Sequence, residues 1–208
     1  MSVFPPVIKN LLILNGLIFL AQLVPTTNEL LMQWFALWPM GTPDVVRTQF
    51  GLREVAQFWP WQLVSYSFLH GGFSHLFFNM FALWMFGVQL ENTWGSRRFA
   101  LFYFVCVIGA GLFQVAVTWG SFIPTVGASG GVFGILLAFG MTFPNQVIML
   151  IFPPIPMKAK WFVMIYGGIE LFAGITGTQS GVAHFAHLGG MLFGFLMIQY
   201  WRGKLKFG

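Results

Sequence analysis

Apolar runs occupy so much of this chain that water cannot be the solvent for most of its surface. Only 7% of its 208 residues are Asp, Glu, Lys or Arg, against 57% hydrophobic residues that include 26 Phe and 9 Trp. A soluble domain of this size carries roughly a quarter charged residues. The sequence therefore dictates a surface that meets lipid, as helices, because the two-residue alternation of barrel strands is absent. The predicted fold class is an all-α membrane protein.

Six spans are read, at residues 8–24, 75–90, 99–119, 129–143, 157–176 and 182–201. They predict a six-transmembrane-helix bundle forming one domain over 1–208, with no appended soluble domain and no seventh helix. Lys9 precedes the first apolar run, but no small-x-small cleavage site follows it, so this run is read as an anchor. Lys9, Arg97, Arg98, Lys158, Lys160, Arg202, Lys204 and Lys206 all fall near the start of span one or after spans two, four and six. Positive residues favour the cytoplasmic side, which places both termini inside. The net charge of +5 is thus explained by orientation in a bilayer rather than by nucleic acid. The segment 28–74 is interrupted by Pro39, Pro43 and Pro60 and carries Trp34, Phe35, Trp38, Trp59 and Trp61. It is read as a connection between helices 1 and 2 that lies in the outer interface.

Polar residues stand out against this background. Spans two, four and six run from outside to inside, and each has a polar residue near its beginning. His75 and Asn79 are four apart and share a helix face. Ser129 opens a span whose roughly 15 residues rise only ~22 Å, short of the ~30 Å core. It can therefore start below the outer surface. His187 is expected about six residues into span six, at a matching depth. Gly130 and Gly134, and Gly190 and Gly194, form small-xxx-small faces that let two helix backbones approach.

A serine hydroxyl and an imidazole at hydrogen-bond reach are the nucleophile and base of a serine hydrolase. His187 would take the Ser129 proton during attack on a peptide carbonyl and return it to the leaving amine. The Ser129 backbone N–H, at a helix N-terminus, with His75 and Asn79, are candidate oxyanion donors. No acidic residue is evidently placed to orient His187, so a dyad is expected. Cys106 is alone, which removes disulfide frameworks and Cys-rich metal sites from consideration.

His75-Leu-Phe-Phe-Asn79, Gly127-Ala-Ser129-Gly130 and Ala186-His187-Leu-Gly-Gly190-x3-Gly194 together resemble the signature motifs of the rhomboid intramembrane serine proteases. Glu91-Asn-Thr-Trp-Gly95-Ser-Arg97-Arg-Phe99 resembles that family's turn after its second core helix. The resemblance covers about residues 8 to 202. It implies that Ser129 is the nucleophile, His187 the base, and His75 and Asn79 part of the oxyanion site, with no metal or cofactor. It implies single-span membrane proteins as substrates, cut within or beside their transmembrane segment, and a multi-pass location. The compactness of the chain makes a bacterial plasma membrane the expected site, with an organellar membrane as the alternative. Phe133 stands where several members have a tyrosine that packs on the catalytic histidine.

Other readings fit less well. Gly127-x-Ser129-x-Gly131 matches the nucleophile elbow of soluble hydrolases, but that motif needs a strand before it and a sheet around it. A transporter site wants access from both sides, whereas these groups share the outer half of the bilayer. A helix-binding relative without activity would have lost Ser or His, and both are present. His184 is assigned to holding the outer loop, His70 to the interface, and Glu170 to a structural pairing with loop donors.

Overall fold

The computed structural model describes residues 2–48, 51–149, 154–177 and 183–205. Among these the protein is mostly helical. It begins with α1 (Pro6–Gln22) and α2 (Pro25–Phe35), followed by a hairpin of β1 (Val45–Thr48) and β2 (Gly51–Glu54). Next come α3 (Gln62–Ser65), a 3₁₀ turn (Tyr66–Phe68), α4 (Phe73–Trp94) and α5 (Ser96–Val117). The last part comprises α6 (Ser129–Thr142), a hairpin of β3 (Val147–Met149) and β4 (Pro156–Lys158), α7 (Ala159–Thr176) and α8 (His184–Trp201).

α6 is the central helix. Its sequence is apolar on every side, as a helix buried all round must be, and it packs against α4, α5, α7 and α8. α5 and α8 close over it with Phe102, Tyr103, Cys106 and Ile198 in the core. The outer faces are the reverse. Leu17 and Leu20 of α1, and Trp161, Met164, Phe172 and Ile175 of α7, stand exposed. Large apolar side chains exposed in this number suit lipid rather than water.

Among the described residues two helices, α4 and α5, are long and apolar enough by themselves to cross a membrane, while α1 and α6 are apolar but shorter. α7 and α8 are diluted by Glu170, His184, His187 and glycines. The residues that make those helices chemically interesting also weaken their hydropathy signal. The expected spans map onto α1, α4, α5, α6, α7 and α8, with shifted ends. Residues 157 and 158, read as helical, lie in β4 instead. Residue 182, the expected start of span six, lies outside the described residues.

Two polar ties hold the frame. Buried Glu91, at the end of α4, accepts the backbone N–H groups of Val7 and Ile8 at 2.9 Å each and the Ser96 hydroxyl at 2.6 Å. It thereby satisfies orphan donors at the start of α1, where an anion also suits the helix dipole. The second tie concerns the segment between α1 and α4, read as a connection in the interface. That segment contains a full helix and a hairpin, and it is bonded to the stretch that leads into α6. Leu37 and Thr125 exchange backbone hydrogen bonds at 3.0 and 2.9 Å, and the Thr42 hydroxyl donates to the Ser121 carbonyl at 2.8 Å. The Tyr66 carbonyl accepts from Gly127 N–H at 2.9 Å, while the Tyr66 hydroxyl donates to the Val107 carbonyl. The segment fixes the approach to Ser129.

Candidate active site

Ser129 is the first residue of α6, so its N–H has no intrahelical acceptor and points out of the helix start. His187 is the fourth residue of α8, nearer the helix start than the six positions expected. α6 and α8 approach backbone to backbone. A Cβ on Gly190 would fall inside the Gly130 carbonyl, and one on Gly134 would sit 3.1 Å from the Gly190 carbonyl oxygen. Only glycine allows this approach, and the approach brings His187 Nε2 to 2.8 Å from Ser129 Oγ.

Phe133 lies one turn after Ser129 on the same face, and its ring stacks on the His187 imidazole with centroids 4.2 Å apart and planes 8° from parallel. The phenyl ring thus covers one face of the imidazole.

His75 and Asn79 face the same cavity, a space of about 550 Å³ that Gln114, Ser129 and His187 also line. His75 Nδ1 accepts a hydrogen bond from Gly71 N–H at 3.3 Å. In neutral His75 the ring proton therefore sits on Nε2. That edge lies over Gly127, where a Cβ would come within 2.7 Å of His75 Nε2. Gly127 also has φ +125°, so glycine is required there on both counts. Asn79 donates one amide hydrogen to the His75 carbonyl at 2.9 Å and has a second N–H to offer. His70, read as interfacial, is buried within the protein edge-on to His75, 5.1 Å between centroids. Burial, and then His75, lower its pKa to about 4, which keeps it neutral at ordinary pH.

The largest departure from the sequence reading concerns Glu170. No acid was expected beside His187, yet Glu170 Oε2 lies 2.8 Å from His187 Nδ1 and 2.6 Å from His184 Nδ1. Glu170 is buried, and its partners belong to α8 rather than to a loop, which corrects the assignments of both Glu170 and His184. The signal was present in the sequence. An acid inside an apolar helix needs a partner, and His184 and His187, three apart, present their rings on one face.

Among the described residues, Glu170, His184 and His187 are also the group whose donor atoms could hold a metal, all lying within 4.8 Å of one another. The spacing suits shared protons better. Two ligands on a tetrahedral zinc at ~2.0–2.1 Å stand roughly 3.3 Å apart, wider than either contact seen here.

Residues 57–203 match the Rhomboid domain, and the chain belongs to the rhomboid family. It is 33% identical over 142 residues to "Rhomboid protein 1, mitochondrial" of Saccharomyces cerevisiae, a match covering 64% of this chain and 40% of that one. It is 30% identical over 157 residues to "Rhomboid protease AarA" of Providencia stuartii, covering 66% of this chain and 54% of that protein. With "RHOMBOID-like protein 4" of Arabidopsis thaliana the identity is 33% over 137 residues, covering 66% and 33%. The chain spans less than two thirds of the length of these three relatives. The family is integral to membranes, in keeping with the apolar exterior.

Proposed function

We propose that this protein is an intramembrane serine endopeptidase that hydrolyses peptide bonds within or next to transmembrane segments of single-span proteins. The 2.8 Å contact between Ser129 Oγ and His187 Nε2 inside a lipid-facing helix bundle carries the reading. His187 accepts the Ser129 proton as Oγ attacks the scissile carbonyl. It then returns the proton to the departing amine, leaving an acyl-enzyme that water hydrolyses by the same steps in reverse order. The tetrahedral oxyanion is met by the Ser129 backbone N–H, His75 Nε2–H and the free Asn79 N–H. The chemistry uses no metal or cofactor.

In this reading α1, α4, α5, α6, α7 and α8 are six spans of one domain covering 1–208. Both termini face the cytoplasm of a bacterial plasma membrane, which the distribution of basic residues supports. Relatives named as mitochondrial make an organellar membrane the competing location.

The same active site supports a route of entry. An apolar cavity of about 840 Å³ lies between α4 and α7, lined by Phe78, Phe81, Met85, Ile165 and Ile169, and it shares His75 and Asn79 with the Ser129 cavity. A substrate segment would enter between α4 and α7 from the lipid, and water would come through the Ser129 cavity. A cross-link between Phe81 and Ile165 positions, made with paired cysteines, is expected to stop cleavage of a membrane substrate. Undiminished cleavage in the fully cross-linked protein contradicts entry by this route.

The function itself is tested with a fluorophosphonate, whose phosphorus is attacked preferentially by activated serines. The expected result is a single adduct on Ser129, absent in His187→Ala and located by peptide mass spectrometry. An unlabelled Ser129 in folded wild-type protein contradicts the assignment.

A further inference from the structure

We propose that Glu170 is a positioning residue for His187, so that the site works as a Glu170–His187–Ser129 relay in place of the expected dyad. The inference rests on the reading of Ser129 as nucleophile and His187 as base. Three observations support it. Glu170 Oε2 and Ser129 Oγ sit at opposite ring nitrogens of His187, each at 2.8 Å. Phe133 covers one ring face at 4.2 Å, so the imidazole is held in its plane as well as at both ends. Glu170 is itself buried, and its Oε2 is fixed from a second direction by His184 at 2.6 Å.

The chemistry follows from hydrogen-bonding rules. A carboxylate only accepts, so His187 must donate its Nδ1–H to Glu170. A neutral imidazole carries one proton, and with that proton on Nδ1 the Nε2 lone pair faces the Ser129 hydroxyl. When Oγ bonds to the substrate carbonyl carbon, the Oγ–H bond breaks and the proton moves to Nε2. The imidazolium formed lies between the carboxylate and the charged intermediate, and the carboxylate stabilises it without taking a proton. The proton then passes from Nε2 to the amine nitrogen as the C–N bond breaks, which restores neutral His187. His184, donating its own Nδ1–H, occupies the second lone pair of the same oxygen. This gives the buried carboxylate a donor to replace water and keeps it from turning away from His187.

A purely structural role would have Glu170 tie α7 to α8 and nothing more. Kinetics and spectroscopy separate the two. In proteoliposomes, Glu170→Gln keeps the shape and removes the charge. It is expected to lower kcat by about 10²- to 10⁴-fold with little change in KM, since the wrong His187 tautomer becomes available. Glu170→Asp, which restores the charge at shorter reach, is expected to recover part of that loss. A structural tie would instead lower the melting temperature of Glu170→Gln and leave kcat per folded molecule unchanged. That result overturns the proposal.

A second measurement needs no variant to fold. In wild-type protein with nitrogen-15-labelled histidine, the His187 ring proton is expected on Nδ1, as a far-downfield hydrogen-bonded resonance. A proton on Nε2 overturns the relay. Cleavage that survives Ser129→Ala refutes the nucleophile assignment itself. Cleavage lost in Ser129→Ala and fully kept in Glu170→Gln refutes only the role of Glu170.

Discussion

Ser129→Ala and His187→Ala are each expected to lower kcat/KM by about 10⁴-fold or more, and the double variant is expected to be little worse than either alone. The two side chains act as one unit. Without His187 the Ser129 hydroxyl keeps its proton and is a poor nucleophile, and without Ser129 the imidazole has nothing to activate. What remains is the small contribution of the oxyanion donors and of substrate binding. Ser129→Ala should stay folded. Ser129 is only partly buried in a cavity wall, and losing its hydroxyl leaves no large void. Loss of activity multiplying across the double variant would show that the two residues act independently, which a shared proton does not allow.

Gly190→Ala is expected to have the next largest effect, although Gly190 touches no reacting atom. A methyl group there would overlap the Gly130 carbonyl, a backbone atom that cannot turn aside as a side chain can. α6 and α8 would have to separate. Overpacking of this kind costs typically 1–3 kcal/mol, and more when backbone must move. The separation also lengthens the 2.8 Å contact between Ser129 and His187. A displacement of ~1 Å at reacting groups lowers rates about 10²-fold, so kcat should fall by at least that much in protein that still folds. Gly16→Ala is the control. Its position is open space on α1, and it should leave both stability and rate near wild type. Equal effects of the two substitutions would show that the close α6–α8 contact does not set the rate.

Much of this arrangement is legible in the sequence because membrane burial makes polar residues conspicuous. Ser129, His187, His75 and Asn79 stand out on apolar helices, and the glycine pairs at 130 and 134 and at 190 and 194 announce a close helix contact. The structure brings all four polar residues to one cavity. Other features depend on tertiary placement, which periodicity does not carry. The contact of Glu170 with α8 depends on how α7 is set beside it. The hydrogen bonds of 37–42 and Tyr66 to the approach of Ser129 join stretches far apart in the chain. The segment between α1 and α4 looks like an interfacial connection because its prolines and tryptophans say where it lies. They do not say what it holds.

The most direct test of the account is cleavage of a tagged single-span protein by purified enzyme in proteoliposomes, with the cut bond located by mass spectrometry. Wild type, Ser129→Ala and His187→Ala are compared at equal folded amounts. One main cut by wild type is expected, within or beside the transmembrane segment, and none by either variant. A cut that persists in both variants, or one far from the membrane segment, would contradict an intramembrane serine peptidase built on Ser129 and His187.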